Sequence, residues 1–182
     1  MAATKHTIVA MVQDKPGVLN HMVSLVRRRG FNIDSIAVGH SETPHLSRVT
    51  FVVNGTTAVV EQVRKQLDKL IDVVRVVDIS GEKQIIRELV LVKVKASSAN
   101  RNEIIEIVDI FNANIVDVTQ DSLMIEITGD EDKTENLLKL LHGFGIKEIA
   151  RTGRIAMVRG NVKTIPVETV KPRTKKSVKI EE

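Results

Sequence analysis

One order of strands and helices occurs twice along this chain, and this repeat restricts the possible folds more than any other feature of the sequence. In the first copy, a β-branched apolar run ends at the turn Asp14–Gly17, and a helix, two strands, a second helix and a last strand follow by about residue 81. Residues 89–158 repeat this order, with an Asn-Ile pair at 32–33 and again at 114–115. We therefore predict an α+β protein with two ferredoxin-like βαββαβ domains.

The predicted domain boundaries follow the repeat, with one domain at 1–81 and a second at 82–160. Residues 161–182 have no hydrophobic periodicity and are rich in Lys, which is typical of a flexible, disordered tail. This basic tail carries +3 of the formal net charge of +4, so the two predicted domains together are nearly neutral.

Composition excludes several classes of protein. The absence of Cys rules out a disulfide framework, a zinc–thiolate site and a cysteine nucleophile. No apolar run reaches the roughly 20 residues of a membrane helix, and the first residues, M-A-A-T-K-H-T, do not resemble a secretion signal. We therefore expect a cytoplasmic protein without membrane contact.

Catalytic motifs are absent from the sequence. It contains no phosphate-binding glycine loop, dinucleotide fingerprint, zincin motif or nucleophile elbow, so we predict no catalytic residue and no cofactor in this chain. His40, Glu42 and His45 share one loop, but such a loop is more often solvated than metal-binding, and no metal site is predicted. His6 and His21, like His142, stand alone and are predicted to lie on the surface.

The most informative segment joins the first strand to the first helix. Backbone amides in the first turn of a helix are free to bind a small anion such as a carboxylate, and Gly17 would let that ligand approach without a Cβ in its way. The alternative is structural, with Asp14 capping the helix and Pro16-Gly17 forming only a turn. The equivalent segment of the second copy, Ser97–Asn100, has no Pro-Gly.

Two stretches of the first copy resemble the ACT domain, a small regulatory module that binds amino acids. They are D-K-P-G-V-L at 14–19 and R-R-G-F-N-I-D-S-I-A-V at 28–38. Several further motifs, in the same order, resemble the small regulatory subunits of acetolactate synthase. They are H-L-S-R-V-T at 45–50, L-I-D-V-V-R-V at 70–76, R-E-L-V-L-V-K-V at 87–94, N-I-V-D-V-T at 114–119 and A-R-T-G-R-I-A-M-V-R-G at 150–160.

This resemblance implies a non-catalytic partner of the large subunit, which in the family holds thiamine diphosphate, Mg and FAD. It implies activation of that subunit and feedback inhibition by valine, leucine or isoleucine. It also implies a homodimer through the ACT domains, with the effector held by the glycine turn of one chain and the start of the second strand of the other. Carried onto this chain, the implied effector-binding residues are Asp14, Lys15, Pro16, Gly17, Val18 and Leu19 on one side and Asn32 and Ile33 on the other.

One residue of the turn departs from the family pattern. The family often has Asn where this chain has Asp14, and a carboxylate cannot donate a hydrogen bond to the carboxylate of an effector. Asp14 would therefore face the effector's ammonium group, cap the helix or weaken binding.

Two other functions remain open from the residues alone. The same βαββαβ order serves RNA-recognition domains, and Arg29-Gly30-Phe31 imitates the start of their aromatic motif, but aromatic residues do not follow it. Another kind of ACT-type amino-acid sensor is the second alternative.

Overall fold

The computed structural model describes residues 4–28, 30–161 and 164–165. By their internal contacts the residues fall into two compact units: the first contains Asp34 and the residues before it, Val38–Gly81 and the residues from Gly160 onward, and the second contains Ser35–Ala37 and Glu82–Arg159. Most of the predicted tail lies outside the described residues. Within the described part of that tail, Ile165 is buried.

The first unit is an antiparallel sheet with two helices. Its elements are β1 (Thr4–Gln13), α1 (Val18–Arg28), β2 (Ile33–His40), β3 (Leu46–Gly55), α2 (Thr57–Leu67) and β4 (Val73–Asp78). The strand order is β2-β3-β1-β4, with β1 antiparallel to both of its neighbours. This arrangement confirms the predicted split βαβ motif and places β2 at one edge of the sheet.

The apolar run of β1 forms the centre of this unit. Residues Ile8–Val12 are each at most 4% exposed, so the predicted buried strand is confirmed. On α1, Val18, Met22 and Val26 form one buried stripe at helical spacing. The helix ends where Gly30 adopts a φ of +73°, with the Phe31 amide donating to the Val26 carbonyl in a Schellman-type closure.

The second unit repeats the motif and adds a strand. Its elements are β5 (Gln84–Lys95), α3 (Arg101–Ile110), β6 (Asn114–Val118), β7 (Ser122–Gly129), α4 (Glu131–His142), β8 (Ile146–Arg151) and β9 (Ile155–Val158). The strand order is β6-β7-β5-β8, and β9 pairs with the first residues of β5. The sequence predicted a single last strand within 146–158, whereas the chain turns between Arg151 and Ile155 and forms two.

The core of the second unit lies between one face of this sheet and its two helices. Valines of β5 alternate into it, and residues of α3, β7 and α4 complete it: Val90, Val92, Val94, Ile104, Val108, Leu123, Ile125, Ile127, Leu137, Leu138 and Leu141. Asp130 precedes helix α4 and caps its N-terminus, because its side chain accepts from the Lys133 amide at 2.9 Å.

The surface prediction for His6 is wrong. This side chain is buried, with Nε2 3.1 Å from Thr4 Oγ1 and Nδ1 3.0 Å from Asp78 Oδ2. Asp78 also accepts from the Ser80 hydroxyl at 2.6 Å. The network ties the start of β1 to the end of β4.

Among the described residues, no helix combines the length and the apolar character needed to cross a membrane.

Candidate functional site

The glycine turn between β1 and α1 leaves an open surface next to the backbone. Gly17 has a φ of +87°, a conformation that costs an L-residue about 1–2 kcal/mol, so the position favours glycine. A Cβ placed on Gly17 would meet no atom within 4 Å. The space beside this residue is therefore open.

The first turn of α1 presents unpaired backbone donors. The first regular helical hydrogen bond runs from the His21 amide to the Gly17 carbonyl at 3.0 Å, and the Val18 amide makes a long bond of 3.4 Å to the Lys15 carbonyl. Within the part of the chain that the structure describes, the amides of Gly17, Leu19 and Asn20 have no backbone acceptor. Because the helix dipole places partial positive charge here, the turn is suited to a carboxylate.

Asp14 is directed toward the start of β3 and the end of β2. Its Oδ1 accepts from the Ser47 hydroxyl at 3.2 Å, and its Oδ2 lies 3.3 Å from His40 Nδ1. The Asp14 amide donates to the His45 carbonyl at 2.9 Å. The carboxylate is about half exposed, so it lies beside the turn as a fixed negative charge that can accept from a cationic group.

Asn32 and Ile33 lie at the opposite end of the sheet from this turn. Strand β1 is antiparallel to β3, and a short loop joins β2 to β3, so β1 and β2 run in the same direction. The end of β1 and the end of β2 therefore lie at the same end of the sheet, with β3 between them. Ile33 begins β2 at the other end of the sheet, about 25 Å from the end of that strand. Asn32 is exposed and donates to Asp34 Oδ1 at 3.0 Å. One chain does not bring the two halves of the predicted site together.

Apolar side chains near the turn are partly unpacked. Val18 is buried, but Leu19 and Val23 on the same helix are exposed, and so is Val38 on the edge strand β2. The structure divides the apolar side chains of α1 into a stripe packed on the sheet and a stripe facing outward.

The corresponding turn of the second unit has additional hydrogen bonds from two of its side chains. The side-chain Oδ1 of Asn100 accepts from the Ser97 amide at 2.7 Å. The Arg101 guanidinium donates to the Thr119 and Gln120 carbonyls at 2.7 and 2.9 Å. The Asn100 amide also donates to the Ser97 carbonyl at 3.3 Å, whereas the amide of Gly17 at the equivalent position has no backbone acceptor within the described residues.

Two residues of the site were not predicted from sequence. His40 and Ser47 contact Asp14. The pairing of β1 with β3 sets Val12 opposite Ser47, and the position of β2 next to β3 brings His40 to the same end of the sheet. His40, Glu42 and His45 do not form a metal site, and no group of three or more His, Asp or Glu side chains suited to a metal occurs within the described residues.

Comparisons with known proteins match both units. Residues 8–75 match the family model of the AHAS small subunit-like ACT domain, and residues 87–160 match that of the small subunit of acetolactate synthase. A probable acetolactate synthase small subunit of Archaeoglobus fulgidus is 54% identical over 87% of this chain and 99% of its own length. The acetolactate synthase small subunit of Mycobacterium bovis is 46% identical over 88% of this chain and 95% of its own.

A solved structure agrees with these relatives. The acetolactate synthase small subunit of Thermotoga maritima superposes with a TM-score of 0.80 at 42% identity, covering 87% of this chain and 99% of that one. Relatives and structure both extend across the two βαββαβ units, and the first unit carries the open glycine turn. This chain belongs to the family of acetolactate synthase small, regulatory subunits.

Proposed function

We propose that this chain activates a catalytic acetolactate synthase large subunit and makes it subject to feedback inhibition by a branched-chain amino acid, valine or else leucine or isoleucine. Membership of the small-subunit family supports the catalytic partner. The observation that carries the effector site is the set of unpaired amides beside Gly17, at a turn open to solvent.

The chemistry of the turn suits an aliphatic amino acid. The first-turn amides of α1 would receive its carboxylate, because they are donors with partial positive charge. The Asp14 carboxylate, fixed by Ser47 and His40, would accept from its ammonium group. Leu19 has exposed apolar surface on the same helix, which would cover part of the branched side chain.

A second copy of the chain would complete the site. If two chains pair through their β2 edges in antiparallel register, the start of β2 of one lies beside the end of β2 of the other. The glycine turn lies at the end of β2, so this pairing brings Asn32 and Ile33 of the second copy toward it. The exposed side chains of Val23 and Val38 would be covered in such a pair.

The cofactors of the reaction would lie elsewhere. In this proposal thiamine diphosphate, Mg and FAD belong to the large subunit, and this chain contributes regulation alone. Its residues hold the effector and contact the large subunit, and they take no part in bond making.

A mixed dimer tests whether two chains share the effector site. Gly17→Asp blocks the amide side, and Asn32→Ala removes the polar group of the second side, so each variant alone should lose valine inhibition of the reconstituted enzyme. A mixed dimer of one Gly17→Asp chain and one Asn32→Ala chain is purified through a different tag on each chain. It contains one intact site, because both changes fall in the other site, and it should bind valine at about half the wild-type stoichiometry. Asn114→Ala, at the equivalent exposed position of the second unit, is the control and should remain inhibited.

A mixed dimer that binds no valine, or an Asn32→Ala chain that is inhibited like the wild type, would contradict the shared site. Both variants should still stimulate the large subunit, because neither removes core volume. Loss of stimulation together with inhibition would show that the two activities are not separable.

A further inference from the structure

Strand β8 forms one edge of the sheet in the second unit. The strand order is β6-β7-β5-β8, and among the described residues no strand pairs with the outer side of β8. The backbone N–H and C=O groups on that side are therefore open to a strand of another chain. Strand β6 forms the opposite edge of the same sheet.

Two isoleucines give β8 an apolar face. Ile146 lies opposite Val94 and Ile149 lies opposite Val92, with Lys147 as an extra residue between them. Because Val92 and Val94 both face the core, the two isoleucines share one face of the sheet although they are three positions apart. Ile146 is partly buried, whereas Ile149 remains 43% exposed, so the core does not cover this edge completely.

The two isoleucines line a groove between β8 and α4. The groove has a volume of about 430 Å³, and Leu138 of α4 adds to its apolar lining. At the end of β8, Arg151 forms an ion pair with Glu135 of α4 at 2.7 Å, which joins the strand to the helix. A strand added to the β8 edge would run along this groove and cover part of its apolar lining.

The sequence of β8 is complementary to itself in one antiparallel register. If Ile146 of one copy lies opposite Ile149 of a second copy, two-fold symmetry repeats this apolar contact at the other end of the pair. The same register sets Lys147 of each copy opposite Glu148 of the other. Opposite charges and apolar side chains placed directly across two strands both stabilise the pairing.

The two charged side chains of β8 can still take part in such a pair. The Glu148 side chain is 73% exposed, and its ion pair with Lys93 is long, at 3.8 Å. The Lys147 ammonium contacts Asp121 Oδ2 at 2.8 Å. Because an ammonium group has three donors, Lys147 can keep this partner and donate to a second carboxylate.

The opposite edge strand, β6, is not complementary to itself in this way. Its exposed apolar side chains are Val116 and Val118, at 49% and 57%. The register that sets Val116 of one copy opposite Val118 of another also sets Asp117 opposite Asp117. Like charges directly opposite one another destabilise a strand pair. Charge therefore favours the β8 edge over the β6 edge as the place where a second copy binds.

We infer that the β8 edge binds a second copy of this chain through that copy's own β8, with Ile146 opposite Ile149 and Lys147 opposite Glu148. This contact lies in the second unit and is distinct from the β2 pairing proposed for the first unit. It depends on neither the effector nor the large subunit.

Cysteine cross-linking of full-length chains tests the register, because the chain has no Cys of its own. Ile146→Cys and Ile149→Cys chains are co-expressed and mildly oxidised. Directly opposite Cβ atoms are about 4.5–5.5 Å apart, close to the span of a disulfide, so the mixture should give a covalent dimer on a non-reducing gel. Each variant alone should give little, because its two thiols are offset along the strands by about 7 Å. A mixture of Val116→Cys and Val118→Cys chains is the matched control for the β6 edge and should not cross-link.

Sedimentation of the full chain tests the chemistry of the contact. Ile149→Glu places a charge in the apolar part and should weaken self-association about 10-fold or more, whereas Val118→Glu on β6 should associate like the wild type. Glu148→Lys and Lys147→Glu should each weaken self-association. A mixture of these two variants should associate more strongly than either alone, because the mixed pair restores opposite charges at both positions.

The melting temperature of each variant is measured first, and Ile149→Ser replaces Ile149→Glu if the glutamate variant fails to fold. No cross-link between folded Ile146→Cys and Ile149→Cys chains would overturn the inference. So would wild-type self-association of the folded Ile149 variant, or equal cross-linking by the Val116 and Val118 pair. Neither valine nor the large subunit is present in these experiments, so their outcome is separate from that of the proposed function.

Discussion

Replacing Gly17 with Ala should change the effector site without a steric clash, and Gly30→Ala provides a matched control in the same unit. Both glycines adopt positive φ, +87° and +73°, and a Cβ on either would meet no atom within 4 Å. The backbone cost should therefore be similar for both, about 1–2 kcal/mol. We expect both variants to fold and to lose nearly equal stability.

Only the change at position 17 should affect effector binding. A hydrogen bond to a charged group contributes about 1.5–3 kcal/mol, which corresponds to roughly 10-fold to 150-fold in affinity. Gly17→Ala crowds the approach to the amides and should weaken valine binding within that range. Gly17→Asp adds a negative charge facing the effector carboxylate and should abolish detectable binding, whereas Gly30→Ala should bind valine like the wild type.

The two properties are measured separately, stability by urea unfolding and valine affinity by isothermal titration calorimetry. Equal losses of valine affinity in the Gly17 and Gly30 variants would show that affinity follows stability and that the glycine turn is not the site. Unchanged affinity in Gly17→Asp would refute the anion-binding role of the α1 amides outright.

Three further outcomes follow from other parts of the structure. Asp78→Ala leaves buried His6 without its carboxylate and should destabilise the first unit by about 1–3 kcal/mol. The variant should unfold at a lower urea concentration and should bind valine with the affinity of the wild type. Arg64 hydrogen-bonds Glu61 and lowers the pKa of that carboxyl to about 2 from its ordinary 4.5, so the pair's stabilisation is present above pH 4.5 and is lost as the pH falls toward 2. NMR titration should therefore find Glu61 ionised at pH 3.5, and protonated there in Arg64→Ala. Truncation after Ile165, which keeps this buried side chain, should leave the melting temperature and large-subunit stimulation unchanged, and a loss of either would show that the removed residues contribute.

Most of the fold was predictable because hydrophobic periodicity reports which side chains face a core. The β-branched run at Ile8–Val12 indicated a buried strand, and the repeated order of elements indicated a second unit of the same kind. The additional strand β9 was missed, because the repeated order of elements predicts a single last strand in each unit, as β4 is in the first. The exposure of Leu19 and Val23 could not be predicted from the sequence, since composition does not distinguish packing within a chain from packing between chains.

The candidate site was predictable only in part. The Pro-Gly turn before an amphipathic helix indicated open amides from local chain geometry alone. The partners of Asp14 could not be predicted, because Ser47 and His40 reach it through strand pairing across more than 25 positions of sequence. His6 likewise looked like a surface residue because its partner, Asp78, belongs to the last strand of the unit.

The central claim is that this chain confers both stimulation and amino-acid inhibition on a catalytic partner. The direct measurement is acetolactate formation by the large subunit alone, with this chain, and with this chain plus valine, leucine or isoleucine. We predict that the chain raises the rate and that at least one of the three amino acids reverses the increase, with the reversal absent in Gly17→Asp. A rate that the chain does not raise, or a raised rate that is insensitive to all three amino acids, would contradict the account.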